Sequence, residues 1–213
     1  MTDDRPELLQ KAINCFKSQN YLNIELVISF PKKDRSSRKI IADRQNSMLN
    51  ILAVEREKDS SLVDAKNQAI KKSNGEYICT WDDSDWHHPS RISYQYNSIQ
   101  NKGEGYQASI LSHILLYDVI KNKAYSSFNN TWEGTVLCSK DILTQKNNNI
   151  KSSPIIELLQ SRKQLLLLDQ APFLYVYIHH GEETWNDQDL EFLMSHSQHL
   201  EEKEKENLLQ HMN

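Results

Sequence analysis

Helical and strand-like patterns alternate through the first hundred residues, and this alternation restricts the possible folds more than any other feature. The helical patterns are apolar residues three or four positions apart: Leu9, Ala12, Ile13 and Phe16; Leu62, Ala65, Ala69 and Ile70; and Ile92, Tyr96 and Ile99. The strand patterns are the short runs Ile24–Phe30, Ile51–Val54 and Glu76–Trp81. Because parallel strands are joined by helical crossovers, this order predicts an α/β fold with a mostly parallel sheet covered by helices.

Residues that start and stop helices support these boundaries. Asp3 or Asp4 is expected to cap the first helix ahead of Pro6, which suits a first helical turn. Asn74-Gly75 is expected to end the third pattern as a left-handed cap, and Pro89 to open the next helix. The acidic residues after Trp81 therefore follow the carboxyl end of a strand, where sheets of this kind bind ligands.

The second half of the chain is richer in strand patterns. They cover Ile110–Val119, Thr135–Cys138, Leu165–Leu168 and Phe173–His179, with helical spacing between them at Ile155, Ile156, Leu158 and Leu159. From Asn186 onward the pattern predicts a long, polar C-terminal helix. No repeat and no linker rich in proline or glycine interrupts the chain, so a single domain over residues 1–213 is expected.

Composition excludes several classes of function. Acids and bases are interspersed at a net charge of −4, which argues against a nucleic-acid groove or a basic membrane patch. The three cysteines, Cys15, Cys79 and Cys138, are far apart and form no metal-binding or disulfide pattern. No apolar run approaches the roughly 20 residues of a transmembrane segment, and the residues after Met1 do not resemble a signal peptide. We therefore expect a cytoplasmic location.

Three carboxylates lie within four residues in the segment Trp81-Asp82-Asp83-Ser84-Asp85-Trp86. Carboxylates this close repel one another, and Mg²⁺ or Mn²⁺ relieves that repulsion with one or two carboxylates plus phosphate oxygens. Such an ion would neutralise a diphosphate, while Trp81 or Trp86 would provide an apolar wall for a base or sugar. The alternative is an acidic turn in which Asp83 or Asp85 caps the helix that begins near Pro89.

The chain resembles the family 2 glycosyltransferases of the GT-A fold. The resemblance rests on an ordered series of segments: Thr2–Leu9, Asn20–Val27, Ala65–Asn67, Gly75–Ile78, Trp81–Trp86, Pro89–Ile92, Trp132–Thr135 and Tyr177–Trp185. The series implies a GT-A-like, Rossmann-like domain with a nucleotide-sugar-binding half (1–100), an acceptor-side half (101–185) and a C-terminal helix (186–213). Its substrates would be a nucleotide-diphosphate sugar and a glycan, lipid-linked or protein acceptor.

The resemblance also implies roles for individual residues. It assigns nucleotide-sugar binding to Arg5, Lys66, Asn67, Trp81, Asp82 and Asp83; metal binding to Asp83, Ser84, Asp85 and His180; acceptor binding to Trp86, Trp132, Glu133 and Gly134; and catalysis to Asp85. For several of these an ordinary role is also open. Lys66 could be a solvated helix lysine, Glu133 a loop acid, and His180 a hydrogen-bonded strand-end histidine.

Three departures from the family pattern bear on activity. The family's first strand ends near the segment that contains Arg5, where this chain has Met1, so a strand edge is expected to be exposed or covered by another element. Ser84 stands where a metal-binding acid is usual. The family's Glu-Asp pair, which holds the general base, aligns with Lys151-Ser152, which leaves Glu157 as the substitute base.

Two functions follow from this pattern. The first is an inverting, metal-assisted transfer of a sugar from a nucleotide-diphosphate sugar to an acceptor hydroxyl. The second is a degenerate GT-A domain that binds nucleotide, glycan or a protein partner without turnover. A phosphatase-type or other Rossmann-like domain is a third, less favoured alternative, because the chain has no glycine-rich phosphate loop. A homodimer through a sheet edge or the C-terminal helix is also open.

Overall fold

The computed structural model describes residues 1–46, 50–144, 152–181 and 187–212. Its helices are α1 (Pro6–Lys17), α2 (Arg35–Gln45), α3 (Leu62–Lys72), α4 (Arg91–Lys102), α5 (Lys140–Thr144), α6 (Ser152–Ser161), α7 (Asp187–Ser195) and α8 (Glu202–Met212). Its strands are β1 (Leu26–Pro31), β2 (Ile51–Arg56), β3 (Tyr77–Cys79), β4 (Trp86–His87), β5 (Ala108–Leu111), β6 (Leu115–Asp118), β7 (Lys123–Ser126), β8 (Leu137–Ser139), β9 (Leu165–Leu168), β10 (Tyr175–His179) and β11 (Gln198–His199). Two short 3₁₀ helices cover Glu133–Thr135 and Pro172–Leu174.

The helix starts differ in part from the sequence prediction. Neither Asp3 nor Asp4 caps α1, because Arg5 occupies the cap position and Asp4 takes a left-handed φ of 51°. Asp34 caps α2 by accepting a hydrogen bond of 2.8 Å from the Ser37 N–H. The left-handed cap predicted at Asn74-Gly75 is wrong: Ser73 ends α3 in an extended conformation, and both following N–H groups bind the Glu25 carboxylate.

The described strands form three sheets. β1 and β2 make a parallel pair, β3-β8-β5-β9 a four-stranded sheet, and β11-β7-β6-β10-β4 a five-stranded one. The predicted α/β class is confirmed, but the pairing is mixed. β6 pairs with β10 and β5 with β9 in parallel, whereas the other pairs of the two larger sheets are antiparallel. The hairpin of β6 and β7 and the return of the chain along β8 produce this mixture.

The C-terminal segment is helical, as predicted, but it is divided. α7 ends at Ser195, the two residues of β11 pair with β7, and α8 then begins at Glu202. The buried Leu208 of α8 packs on the five-stranded sheet, against Ala124, Val176 and the partly buried Trp86 of that sheet. None of the described helices combines the length and the apolar character that crossing a membrane requires.

Two apolar clusters meet beside the acidic segment. The cluster of α1, α2, β1 and β2 is centred on Ile13, Ile28 and Phe30, and the cluster of α4 contains Ile92 and Ile99. Trp81 packs against both clusters, and its indole N–H donates to the Ala12 carbonyl oxygen at 3.2 Å. Packing around Trp81 therefore fixes the position from which residues 82–86 leave β3.

Candidate active site

Asp82 is the exposed carboxylate of the acidic segment. Its Oδ1 accepts hydrogen bonds from the Ser84 N–H at 3.1 Å and the Ser84 hydroxyl at 2.9 Å, which holds the turn closed. Partial desolvation raises the pKa of Asp82, but the two Ser84 bonds, the Met1 α-amino group and Arg5 outweigh it, so the pKa lies below its ordinary value. Asp82 therefore presents a charged carboxylate at neutral pH.

Asp83 points inward and is 4% exposed. Its Oδ1 accepts from the Arg5 guanidinium at 2.8 Å, whereas its buried Oδ2 has no hydrogen-bond partner of ordinary geometry among the described residues. Burial raises the pKa of Asp83; the Met1 α-amino group, Arg5 and the nearby Thr2 hydroxyl oppose this shift without cancelling it. The Arg5–Asp83 pair thus joins the start of α1 to the loop after β3.

Asp85 is also buried, and its two oxygens bind β10. Oδ2 accepts from the Tyr175 hydroxyl and Oδ1 accepts from the Ile178 N–H at 3.1 Å. Burial and the charge of Asp85 hold the pKa of Tyr175 well above its ordinary value, so Tyr175 stays a donor. Both oxygens of Asp85, which was predicted to bind a metal and to act in catalysis, are therefore hydrogen-bonded to β10, and those two roles stay predictions.

A buried arginine, Arg91, organises the space behind the acidic segment. Its guanidinium contacts His87 Nδ1 at 2.6 Å, Gln95 Oε1 at 3.2 Å and the Gly134 carbonyl oxygen at 3.2 Å. It also lies 5.6 Å from the Trp81 ring and 5.0 Å from the Tyr175 ring, within cation–π range. Since His87 Nδ1 faces a cation, it is the acceptor, and Nε2 donates to the Asp82 carbonyl oxygen at 3.1 Å.

The predicted acceptor loop packs directly against this arginine. Trp132 is 8% exposed and donates its indole N–H to the Ser112 carbonyl oxygen at 3.2 Å, so the ring belongs to the core. At Gly134 an added Cβ would lie 2.9 Å from the Tyr175 hydroxyl oxygen. The Tyr175 hydroxyl is therefore the group that closely approaches the backbone of Gly134. Glu133 is the half-buried acidic residue of the loop.

Trp86 and His180 were predicted to bind the acceptor and the metal, respectively. Trp86 alternates in direction with Asp85 and His87, and it contacts the cluster under α8 rather than the side of Asp82. His180 Nε2 lies 3.0 Å from the Ser84 carbonyl oxygen, which brings the end of β10 to the turn. The structure thus joins Arg5, Asp82, Ser84 and His180 around one half-exposed turn.

Three predicted site residues lie on helix surfaces. Lys66 is exposed and Asn67 is half-buried on α3, and no hydrogen bond or ion pair of the described residues links either of them to residues 81–86. Glu157 is exposed on α6, opposite the buried Ile155, Ile156 and Leu159. Lys151 and residues 182–185 lie outside the described part of the chain, and the side chain of Ser152 is not described.

The acidic turn fits a divalent cation that takes most of its ligands from water and a diphosphate. In the described ranges, no group of three or more histidine, cysteine, aspartate or glutamate side chains is placed to hold a metal ion. Asp82 offers one exposed carboxylate, which is what Mg²⁺ or Mn²⁺ needs beside phosphate oxygens. The carboxylates of Asp83 and Asp85 are directed to Arg5 and β10 instead.

Sequence reasoning missed three residues that shape the site: His87, Arg91 and Tyr175. The spacing of Arg91 and Gln95 carried a weak signal, because polar side chains four residues apart can face each other on one helical turn. His87 carried none, since it lies on β4, before α4 begins. Tyr175 carried none, since its contact with Asp85 spans 90 residues of sequence.

Solved structures with similar folds include a complex with UDP-GlcNAc and a complex with GDP-Man. TarS 1–349 from S. aureus in complex with UDP-GlcNAc has a TM-score of 0.64 at 14% sequence identity, covering 98% of this chain and 68% of that one. A longer S. aureus TarS has a TM-score of 0.61 at 15% identity, and this chain spans 41% of its length. The mannosyltransferase PcManGT from Pyrobaculum calidifontis, in complex with GDP-Man and Mn²⁺, has a TM-score of 0.58 at 11% identity, covering 86% of this chain and 56% of that one.

No curated protein matches this chain in sequence. The structural likeness, at these low identities, confirms the predicted GT-A-like fold. The profile of one sequence family, described as glycosyl transferase family 2, matches residues 2–137, which is more than half of the chain. This match contains the acidic segment, Arg5, Arg91 and Gly134, and the chain therefore belongs to glycosyl transferase family 2.

Proposed function

We propose that this protein is a glycosyltransferase that transfers a sugar, with inversion, from a nucleotide-diphosphate sugar to a hydroxyl of a glycan, lipid-linked or protein acceptor. Family membership supports sugar transfer from a nucleotide donor. The observation that carries the location of the site is the convergence of Arg5, Asp82, Ser84 and His180 at the turn after β3. This turn is charged and half-exposed, and it packs on the buried side chains around Arg91.

Each residue of the turn has a specific part in the proposal. Asp82 faces the donor, and the two bonds from Ser84 fix the direction of its carboxylate. Arg5 neutralises Asp83 and, with a side chain 42% exposed, has N–H groups left for a phosphate oxygen. His180 and Ser84 hold the end of β10 against the turn.

A divalent cation is part of the proposal. When bound beside Asp82, Mg²⁺ or Mn²⁺ would neutralise charge on the leaving diphosphate. The protein's own contribution is a preformed carboxylate, which the two hydrogen bonds from Ser84 orient before the ion binds. The roles of Lys66, Asn67, Glu133 and Glu157 toward donor and acceptor stay predictions.

Donor hydrolysis and transfer test the activity. Incubation of the protein with Mn²⁺ and a panel of nucleotide-diphosphate sugars is expected to release nucleoside diphosphate, and Asp82→Asn to reduce that release by about tenfold or more. Asp141→Asn, a matched change at an exposed aspartate of α5, is the control. Circular dichroism of both variants should match the unaltered protein, which separates loss of chemistry from loss of fold. Absence of release with every donor would contradict the transferase.

A second candidate is a GT-A domain that binds a nucleotide without turnover. The specific observation in its favour is that the carboxylates of Asp83 and Asp85 both form hydrogen bonds within the protein. The turn is therefore left with one carboxylate that faces solvent. This candidate predicts weak or metal-independent nucleotide binding in calorimetry, which Ser84→Asp strengthens by adding a second carboxylate. Tight, Mn²⁺-dependent UDP binding by the unaltered protein would contradict it.

A further inference from the structure

Strand β9 is a run of leucines, Leu165–Leu168, at the edge of the four-stranded sheet, where β5 is its partner on one side. The Ser112 N–H donates to the Leu168 carbonyl oxygen at 3.0 Å, which fixes the side of β9 that faces β5. In this parallel ladder the backbone groups of Leu165 and Leu167 point away from β5. Among the described residues, none forms a hydrogen bond with these outward groups.

β9 lacks the features that usually keep a sheet edge from pairing with another strand. Charged residues, proline and bulges protect many natural edges, and none of these occurs within the strand. Leu167 is instead 48% exposed. A groove of about 550 Å³ lies at this edge, lined by Leu166, Leu167 and Leu168 and by Tyr94 and Lys102 of α4. The edge is therefore accessible to a further strand.

Opposite charges flank the leucines of β9. Lys163 lies two residues before the strand and Asp169 directly after it, and both side chains are exposed. When a strand pairs antiparallel with an identical strand, the numbers of the residues that face each other have a constant sum. If Leu165 faces the second copy's Leu167, Lys163 faces the second copy's Asp169. Two-fold symmetry repeats both contacts, so this register contains two pairs of opposite charge.

The neighbouring registers do not combine these contacts. Hydrogen bonds between the two copies require that the outward residues, Leu165 and Leu167, face each other or themselves. If Leu165 faces its own copy, Lys163 moves opposite Leu167. If Leu167 faces its own copy, Asp169 moves opposite Leu165. Both alternatives place an exposed charge against a leucine, so the charges favour the register in which Leu165 faces Leu167.

We propose that β9 pairs antiparallel with β9 of a second copy of this chain, with Leu166 on the two-fold axis. Each Leu165 exchanges two N–H···O bonds with the second copy's Leu167. Leu165 packs in the cluster that contains α6, and Leu167 lies on the same face of the strand, so the pairing covers the exposed Leu167 side chain with apolar surface. Since each copy contributes the same edge, the contact closes at a dimer. The inference rests on this edge and not on the proposed catalytic function.

Sedimentation equilibrium with exchanged charges tests the pairing. The unaltered protein is expected to form a dimer, and Lys163→Asp and Asp169→Lys, each of which places like charges across the axis, to raise its dissociation constant by about tenfold. An equimolar mixture of the two variants should regain the original affinity, because every lysine then meets an aspartate. Lys33→Asp, at an exposed turn lysine after β1, is the matched control. A monomer at every concentration, or a dimer that neither variant weakens, would overturn the proposal.

Cysteine cross-linking tests the register independently. The two copies of Leu166 face each other at a pair without hydrogen bonds, where Cα atoms lie about 4.5 Å apart, within the range of a disulfide. We expect mild oxidation to cross-link Leu166→Cys, but neither Leu165→Cys nor Leu167→Cys. The unaltered protein, with its own three cysteines, is the control for other disulfides. If Leu166→Cys does not fold, the exchanged charges still decide. Cross-linking of either other variant in its place, or assembly beyond a dimer, would overturn the proposal.

Discussion

At the scale of single residues, the site depends on a buried cation whose partners are neutral. Arg91 is fully buried, and it is held by an imidazole, an amide, a carbonyl and two aromatic faces. Burying a charge is costly unless every donor finds an acceptor, so these contacts must act together. These contacts fix the position of the buried side chains behind Asp82. Residues of α4, β4, β10 and the loop at Gly134 all contribute to them.

Gly134→Ala tests how closely the buried side chains around Arg91 are packed. The added methyl group would lie 2.9 Å from the Tyr175 hydroxyl oxygen, which is anchored by Asp85 and cannot move freely. We expect a loss of about 1–3 kcal/mol in the free energy of unfolding, measured by urea denaturation. In a Tyr175→Phe background the same change should cost less, because the clashing atom is absent. An equal cost in both backgrounds would contradict the assigned contact.

His87 is expected to make stability depend on pH. Burial and the charge of Arg91 lower the pKa of His87 well below its ordinary value, so the folded protein keeps this ring neutral. The unfolded chain protonates it near pH 6.5, and the stabilising contribution is therefore complete above that pH and lost as the pH falls. Each pH unit below that value should cost up to about 1.4 kcal/mol.

Urea unfolding between pH 5 and 8 measures this effect. The slope of the free energy of unfolding against pH should flatten in His87→Gln, which cannot be protonated. His196→Gln, at an exposed histidine of the same chain, should leave the slope unchanged. A slope that persists in His87→Gln would assign the acid sensitivity to another group.

At the scale of elements, α8 is expected to shield from water the face of the five-stranded sheet that contains Trp86. Leu208 is 9% exposed and lies in the same cluster as Trp86, Val176 and Ala124. Leu208→Ala should lower the free energy of unfolding by about 2 kcal/mol, near the low end for a buried leucine because the site is close to the surface. The fluorescence of Trp86 should also shift to longer wavelength, as water reaches the ring.

Two variants make the α8 measurement specific. Trp86→Phe identifies the part of the emission that comes from Trp86, since the chain has four tryptophans. Gln210→Ala lies on the exposed face of the same helix and should change stability by less than about 0.5 kcal/mol. A similar loss from both α8 substitutions would mean that the effect of Leu208→Ala does not come from packing on the sheet.

At the scale of the whole molecule, we predict that the chain unfolds as one cooperative unit. Trp81 packs in the clusters of both β1 and α4. Glu25, directly before β1, binds the Gly75 N–H ahead of β3, and Arg5, at the start of α1, binds Asp83 after β3. Far-UV circular dichroism and tryptophan fluorescence should therefore give the same urea midpoint. Two separated transitions would instead divide the chain, against the single domain expected for residues 1–213.

Much of the candidate site could be predicted from local sequence. The run Glu76–Trp81 and the acids after it placed Asp82 at a strand end, where the structure exposes its carboxylate. The resemblance to family 2 glycosyltransferases assigned both Arg5 and Asp83 to nucleotide-sugar binding, and the Arg5–Asp83 pair joins the two residues. The sequence could not predict which carboxylate faces solvent. Asp83 and Asp85 face inward because of hydrogen-bond partners that lie 78 and 90 residues away in the sequence.

The sequence by itself determined the alternating elements, the turn after β3 and the family, because apolar spacing and short-range order are local properties that survive without tertiary contacts. Only the tertiary structure decided that Trp132 is a core residue, that Trp86 lies under α8, and that the cap position at Asn74-Gly75 is replaced by bonds to Glu25. These features depend on contacts between distant segments, and the free energy of a long-range contact is not encoded in any one stretch of the chain.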